Sequence, residues 1–519
     1  MEYSISKEKV GIYKTVFEGN VSQGIDLDFN LPDYCPDIQK ILRCQAYPRI
    51  LRKRIAGEKL EVEGIVIVNL VYLDSEKMIL RSCEYTSQFS LYHKLKKDLN
   101  LKDETNLAIF SKANIEYINC RAITQRRLDI HGEFSVSSKI KVKKEGELPS
   151  SVEEDDVEQK TETISVNSLC NVVQKEFNIT ETIQLEKDLM PIESIINSNL
   201  TVKVKDYRVI TNKLIINCEA KLDLLYINNI ETGELNNFSH IIPFSQIVDV
   251  EDLVEDDICS LKIQSLNHDI NIKTDATGES GLLALDASFV ASVCSFKNKE
   301  INILKDAYST KYLSNVSSKK IELSTFLKQI SPEFNHETKV DLSNINVSRI
   351  IDLRNELFSV KAKKENNNIK FTGKYNICIF YINLENELSY FEKIIDFEYL
   401  HNLEENNKDL LIEPSLNIES INYSLTENKN LELKTKIVLN SDLYEVNKIN
   451  TLEKISCDEE KPINKENDAS LTLYYAGEEE SLWDIAKKYS VSESLIKEEN
   501  DLLEEEKLEP RTMILIPNK

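Results

Sequence analysis

Apolar residues recur at every second position from Leu60 to Tyr72. Leu60, Val62, Gly64, Val66, Val68, Leu70 and Tyr72 take one side. In a pleated strand that spacing points all of them to one face. The pattern returns as Leu214, Ile216, Cys218, Ala220, Leu222, Leu224 and Tyr226, and again as Ile369, Phe371, Gly373, Tyr375, Ile377, Ile379 and Tyr381. The closing tyrosines lie 154 and 155 residues apart. Solenoid units repeat at about 20–50 residues, so this period predicts whole domains in tandem.

Other segments keep the same period. An opening strand is predicted over Val21 to Leu27, with counterparts at Ile179 to Leu185 and His336 to Leu342. Each central strand is approached through a short polar turn, such as Ala56-Gly57-Glu58. A further strand follows at Arg81 to Leu91, Leu235 to Val250 and Leu388 to Tyr399. An apolar-x-x-apolar-Asn frame then appears at Ile115 to Cys120, Ile263 to His268 and Ile418 to Tyr423. Returning strands close each unit at Arg127 to Ile140, Gly281 to Phe296 and Asn430 to Leu443. The chain is therefore expected to be mainly β: three antiparallel β-rich repeats over 10–144, 163–305 and 316–456, each a sandwich or open barrel. Glu145 to Glu162 and 457–469 are acidic or charged and lose the alternation, so both read as solvated linkers. A further join falls near Asp306 to Asn315.

After residue 469 the texture changes. Leu471 to Tyr475 predicts a strand. Ser481 to Tyr489 predicts a helix with Leu482, Ile485, Ala486 and Tyr489 on one face, Ser481 as cap and Asp484 as its reciprocal partner. Ser492 opens a second helix carrying Leu495 and Ile496, Asn500 ends it, and Met513 to Pro517 is a returning strand. The unit over 470–518 is a small βααβ module.

Composition narrows the partners. The 519 residues hold 64 basic and 88 acidic side chains, a net charge of −24. Such a surface repels phosphate backbones and anionic lipid, so no nucleic acid and no membrane insertion are expected. Arg49, Arg52, Lys53 and Arg54 form a local basic run, read as a solvated strand end. Met1 to Val10 is polar and lacks a secretory core, and no uncharged apolar run reaches the roughly 18 residues of a membrane helix. A cytoplasmic protein with reduced thiols is expected, since the ten cysteines include no Cys-x-x-Cys pair.

No phosphate-binding Gly-x-x-x-x-Gly-Lys-Ser/Thr and no Rossmann glycine set occurs. Thr277-Gly-Glu-Ser-Gly281 is the richest glycine stretch and reads as a hairpin turn. The six histidines have no metal-pair spacing. Asp33 and Asp37 sit at a turn and suit capping. The expectation is a non-enzyme with no cofactor and no metal.

The terminal module resembles LysM domains through Tyr474, Ser481-Leu482-Trp483, Ile485-Ala486, Tyr489, Val491-Ser492, Leu495-Ile496, Asn500, Pro510 and Leu515-Ile516-Pro517. The repeats resemble the SPOCS domains of spore-coat assembly proteins, through Leu31-Pro-Asp-Tyr-Cys-Pro-Asp-Ile-Gln-Lys-Ile-Leu42, Val62 to Val66 and Leu70-Val-Tyr72. The resemblance implies a coat morphogenetic protein in the mother-cell cytoplasm at the forespore surface, with the coat basement-layer ATPase, SpoIVA, as partner. LysM domains ordinarily bind N-acetylglucosamine glycans in a groove whose glycines let sugar approach the backbone. Here Glu479 and Arg511 stand at those glycine positions, beside Glu478 and Glu480. Protein binding is therefore expected ahead of glycan binding, with an amino-sugar or peptidoglycan ligand as the alternative. The expected partner-binding residues are Glu480, Leu482, Trp483, Lys487, Ile496, Asn500 and Arg511, with Trp483, the single tryptophan, as an aromatic anchor.

Overall fold

The computed structural model describes residues 2–96, 106–185, 191–274, 282–356, 358–403, 409–426, 430–463, 470–478, 480–502 and 511–517. The Thr277 to Gly281 turn, Met190, Glu479, Pro510 and residues 464–469 of the last expected linker lie outside them.

The first repeat comprises β1 (Ile5–Asn30), β2 (Ile38–Ala56), β3 (Lys59–Asp74), β4 (Leu80–Lys94), β5 (Leu107–Ala122) and β6 (Arg127–Val152). They form two antiparallel sheets, ordered β1-β6-β5 and β2-β3-β4. The second repeat has the same plan with β7 (Val157–Gln184), β8 (Ser194–Ile210), β9 (Lys213–Asn229), β10 (Glu234–Asp249), β11 (Ile258–Lys273) and β12 (Leu282–Ser309). Its sheets run β7-β12-β11 and β8-β9-β10. In the third repeat Ser331-Pro332 divides the first strand into β13 (Tyr312–Ile330) and β14 (Glu333–Asp341), because proline cannot donate to the ladder. The second strand is likewise split, into β15 (Val347–Arg354) and β16 (Phe358–Glu365). β17 (Asn368–Asn383), β18 (Leu388–Asn402), β19 (Leu410–Leu425) and β20 (Asn430–Pro462) complete it.

The alternation read from sequence sets the core of each repeat. Leu60, Val62, Val66, Val68, Leu70 and Tyr72 of β3 pack against Leu128, Ile130, Phe134, Val136 and Ile140 of β6, so two sheets share one apolar layer. Ile369 to Tyr381 of β17 meet Leu431 to Leu443 of β20 in the same way. Gly64 and Gly373 occupy equivalent places in β3 and β17. A Cβ on Gly64 would stand 2.1 Å from the Arg49 carbonyl and 2.6 Å from the Phe89 ring. One on Gly373 would stand 2.4 Å from both Phe397 and the Ser359 carbonyl.

The first and last strands of each repeat are longer than expected. Residues 145–162 are no linker: β6 continues to Val152, β7 starts at Val157, and only 153–156 lie between. The reason is apolar alternation hidden among the acids. Leu148, Val152 and Val157 are buried, and the acid at Asp156 is itself used, accepting hydrogen bonds from Tyr3 (2.8 Å) and Ser309 (2.7 Å). The expected join at 306–315 is likewise mostly strand, broken only between Ser309 and Tyr312. In 457–469, β20 runs on to Pro462 with Cys457 buried.

These strand extensions fuse the repeats into one body. Four apolar clusters draw on all three repeats. In one, Tyr3 and Val152 meet Leu304 and Ala307 of the second repeat and Leu452 and Ile455 of the third. The ring closes where the Tyr3 N–H donates to the Ile455 carbonyl at 3.1 Å. A buried polar knot also joins the three repeats. Glu356 accepts from both terminal nitrogens of Arg43, from the Tyr47 hydroxyl (3.0 Å) and from Asn197 (3.3 Å), so each repeat contributes. Arg43, Asn197 and Asp352 occupy the same bulged position of their second strands, opposite Val71, Leu225 and Phe380. Burial alone would raise the Glu356 carboxyl, but the Arg43 charge and hydrogen bonds outweigh it and hold it below the usual range.

Candidate functional site

The terminal module is β21 (Leu471–Tyr475), α1 (Leu482–Tyr489), α2 (Glu493–Glu499) and β22 (Met513–Pro517). Ser481 caps α1 as expected: its hydroxyl accepts from the Asp484 N–H at 3.2 Å, and Asp484 accepts from the Ser481 N–H at 3.1 Å. Ser492 precedes α2 but makes no cap bond, its hydroxyl facing Ser494 instead at 2.7 Å. Ser490 ends α1 in the left-handed conformation. Ile485, Ala486, Val491, Ile496, Ile514 and Ile516 form the core between helices and hairpin.

Two of the seven residues foreseen for a protein partner, Trp483 and Lys487, are turned inward, onto β12. The Trp483 indole N–H donates to the Asp306 carboxylate at 2.9 Å, and Lys487 reaches the same carboxylate at 2.7 and 2.6 Å. The Tyr308 ring meets Trp483 edge-on with centroids 5.0 Å apart, and its hydroxyl donates to the Val491 carbonyl at 2.7 Å. Trp483 is 6% exposed. The expectation of a partly exposed aromatic anchor is therefore corrected. The ring is consumed by an internal contact, because Asp306 supplies both an acceptor for its N–H and a counter-charge for Lys487 one turn on.

The other foreseen residues divide. Ile496 is fully buried and builds the core. Asn500 has its amide spent: it donates to the Ile496 carbonyl (2.8 Å) and the Leu515 carbonyl (2.7 Å) and accepts from the Leu515 N–H (2.7 Å), tying α2 to β22. Glu480 accepts from the Tyr474 hydroxyl (2.8 Å) and the Gly477 N–H (2.9 Å), and the latter holds its carboxyl below the usual range. Leu482 is half-buried against the core. Arg511 is exposed, with φ of 70°, the left-handed conformation that glycine adopts freely. Its N–H donates to the Ala476 carbonyl at 2.9 Å.

A surface not foreseen lies on the outer side of the hairpin. Leu471 pairs with Pro517, Leu473 with Leu515 and Tyr475 with Met513. Thr472, Tyr474, Ile514 and Ile516 turn inward, so the first six residues share the opposite face. Leu473, Tyr475 and Met513 are 61%, 63% and 51% exposed. The signal was present in sequence. Met513 to Pro517 is apolar at every position rather than at alternate ones, which a half-buried strand does not need.

Among the described residues no group of three His, Cys, Asp or Glu side chains could hold a metal ion. No described helix is long and apolar enough to cross a membrane.

Comparison with protein families agrees with this layout. The SipL SPOCS domain model matches residues 37–123 and 191–273, and the LysM domain model matches 474–517. The chain carries SPOCS domains and a C-terminal LysM domain. The SPOCS matches span β2 to β5 and β8 to β11. The third repeat lies outside them yet has the same order of paired strands. No curated protein and no solved structure matched. The domain content is that of a sporulation protein associated with the spore coat, bearing a module of the peptidoglycan-binding type.

Proposed function

We propose that this chain is a non-catalytic adaptor of coat assembly at the forespore surface in the mother-cell cytoplasm. Its SPOCS body is a rigid platform, and its LysM domain binds a protein, the basement-layer ATPase SpoIVA. The observation that carries this reading is the bare apolar face of the LysM hairpin. Leucine, tyrosine and methionine side chains in a contiguous exposed row are the composition of a protein interface core. A sugar groove would ask instead for open backbone. The Glu480 turn is filled by its own bonds to Tyr474 and Gly477, and Arg511 places a long side chain where glycine is ordinary. The glycan reading keeps one observation in its favour, the LysM match itself.

The test is calorimetric titration of the full chain with purified ATPase, using wild type and the double variant Leu473→Glu, Tyr475→Glu. Loss of binding in a variant with unchanged melting supports the assignment. Full binding by that variant removes the hairpin face as the contact.

A further inference from the structure

The basic run Arg52-Lys53-Arg54 lines a cleft of about 1010 Å³ between the first and second repeats. Lys213 lines it from the start of β9. A second hollow of about 420 Å³ adjoins, sharing Asn171 and Asp252 with the first, and brings Lys9, Lys143, Lys297 and Lys299. Against these stand Glu145, Asp249, Glu251 and Asp252. Cations thus outnumber carboxylates along a trough in a chain whose net charge is −24.

Most of these cations are not held in direct ion pairs. Lys9 pairs with Glu145 at 2.7 Å and Arg54 with Glu61 at 2.6 Å. Among the described residues, Arg52, Lys53, Lys143, Lys213, Lys297 and Lys299 have no carboxylate at ion-pair distance; Glu145 acts on Lys143 and Lys299, and Glu176 on Lys53, only from further off. Four of them touch only backbone carbonyls: Lys53 that of Ile109 (3.1 Å), Lys143 that of Cys170 (2.7 Å), Lys297 that of Asp252 (3.0 Å) and Lys299 that of Lys9 (3.4 Å). The fold does not require this charge. In the second repeat the equivalent strand positions, set by the same bulge, hold Asp206, Tyr207 and Arg208.

We infer that this cleft is a docking site for an acidic, partly aliphatic peptide segment of a protein partner. The cations fall in two groups, Arg52, Lys53, Arg54 and Lys213 in the larger cleft and Lys9, Lys143, Lys297 and Lys299 in the smaller hollow, which suits a ligand with carboxylates along its length over a single compact anion. Ile55, Leu107, Ile109, Val172 and Val250 form apolar wall between the charged ends, which suits aliphatic side chains. Asn106 and Asn212 also line the cleft, while the Gln174 amide is bonded to Ile109 and Ser292 and stiffens its wall. A nucleic acid is disfavoured by the interspersed Asp249, Glu251 and Asp252, which would face an unbroken row of phosphates.

The test is fluorescence anisotropy of a labelled twelve-residue peptide alternating glutamate with valine and leucine. It is titrated with the full chain at low salt, beside a labelled oligothymidylate and with inorganic phosphate as competitor. Peptide binding is expected. It should weaken by roughly tenfold or more in the exposed triple variant Arg52→Asp, Arg54→Ser, Lys213→Ser, and also with added salt. Should the triple variant melt early, Lys297→Gln with Lys299→Gln at the other end provides the same readout. No peptide binding, equal binding by both variants, tighter binding of the oligonucleotide, or full displacement by phosphate would each overturn the assignment.

Discussion

Asp306→Ala should release the LysM domain from β12. The carboxylate is the acceptor for the Trp483 N–H and the counter-charge for Lys487. A hydrogen bond to a charged group is worth about 1.5–3 kcal/mol. The ion pair adds less than about 1 kcal/mol, because its side chains are 33% and 27% exposed and screened by solvent. Together they supply roughly 2–4 kcal/mol of docking, a factor of roughly 30 to 1000 in the docked-to-free ratio. Tyr308 gives a second handle, since Tyr308→Ala removes the edge-on ring contact and the bond to Val491. The assay is direct, because Trp483 is the single tryptophan of the chain. Release exposes one indole edge to water, so emission moves to the red and acrylamide quenching rises in Asp306→Ala, and further in the double variant. Emission and quenching identical to wild type in the double variant would show that Asp306 and Tyr308 do not hold the domain.

Glu356→Ala strands the buried Arg43 guanidinium at the meeting of three repeats and should cost about 3–5 kcal/mol, read as a large fall in the melting temperature. Glu356 also has an acid signature. Its folded carboxyl lies below its unfolded value, so its contribution is present above the unfolded pKa and is lost as pH falls through the folded one; Glu356→Gln should flatten that acid limb of stability. Burial, then the Arg49 charge, push His268 down to about 4, where the neutral ring faces the Ser198 hydroxyl at 2.9 Å. Stability from this group is therefore complete above about pH 6.5 and falls by roughly 3 kcal/mol toward pH 4. Denaturant melts of His268→Asn across that window should show a shallower slope than wild type. Gly64→Ala drives a methyl into the Arg49 carbonyl and the Phe89 ring and should cost about 1–3 kcal/mol in denaturant unfolding, more than an alanine at exposed Gly24, where the nearest atom would stand 3.9 Å away.

The central strands were legible because their alternation is strict and their burial follows it residue by residue, as at Leu60 to Tyr72. The Ser481 capping box was legible because it is local. The extensions at 145–162 were missed because Leu148, Val152 and Val157 are sparse among acids, and their reward comes from strands of other repeats. Asp156 could not be assigned from its neighbours, since its partners are Tyr3 and Ser309. Trp483 failed as a partly exposed anchor for the same reason. Its fate is decided by Asp306 and Tyr308, more than 170 residues earlier, and no pattern within the module reports them. The hairpin face was visible in the unbroken apolar run at Met513 to Pro517, but a strand that short gives no period with which to separate a packed face from a bare one.

Hydrogen–deuterium exchange on the full chain tests the central claim most directly, with the basement-layer ATPase in one arm and a chitooligosaccharide in the other. The account predicts slowed exchange over 471–475 and 513–517 with the ATPase and no change with the sugar. Protection around 477–483 with the sugar, and none at the hairpin with the ATPase, would contradict it.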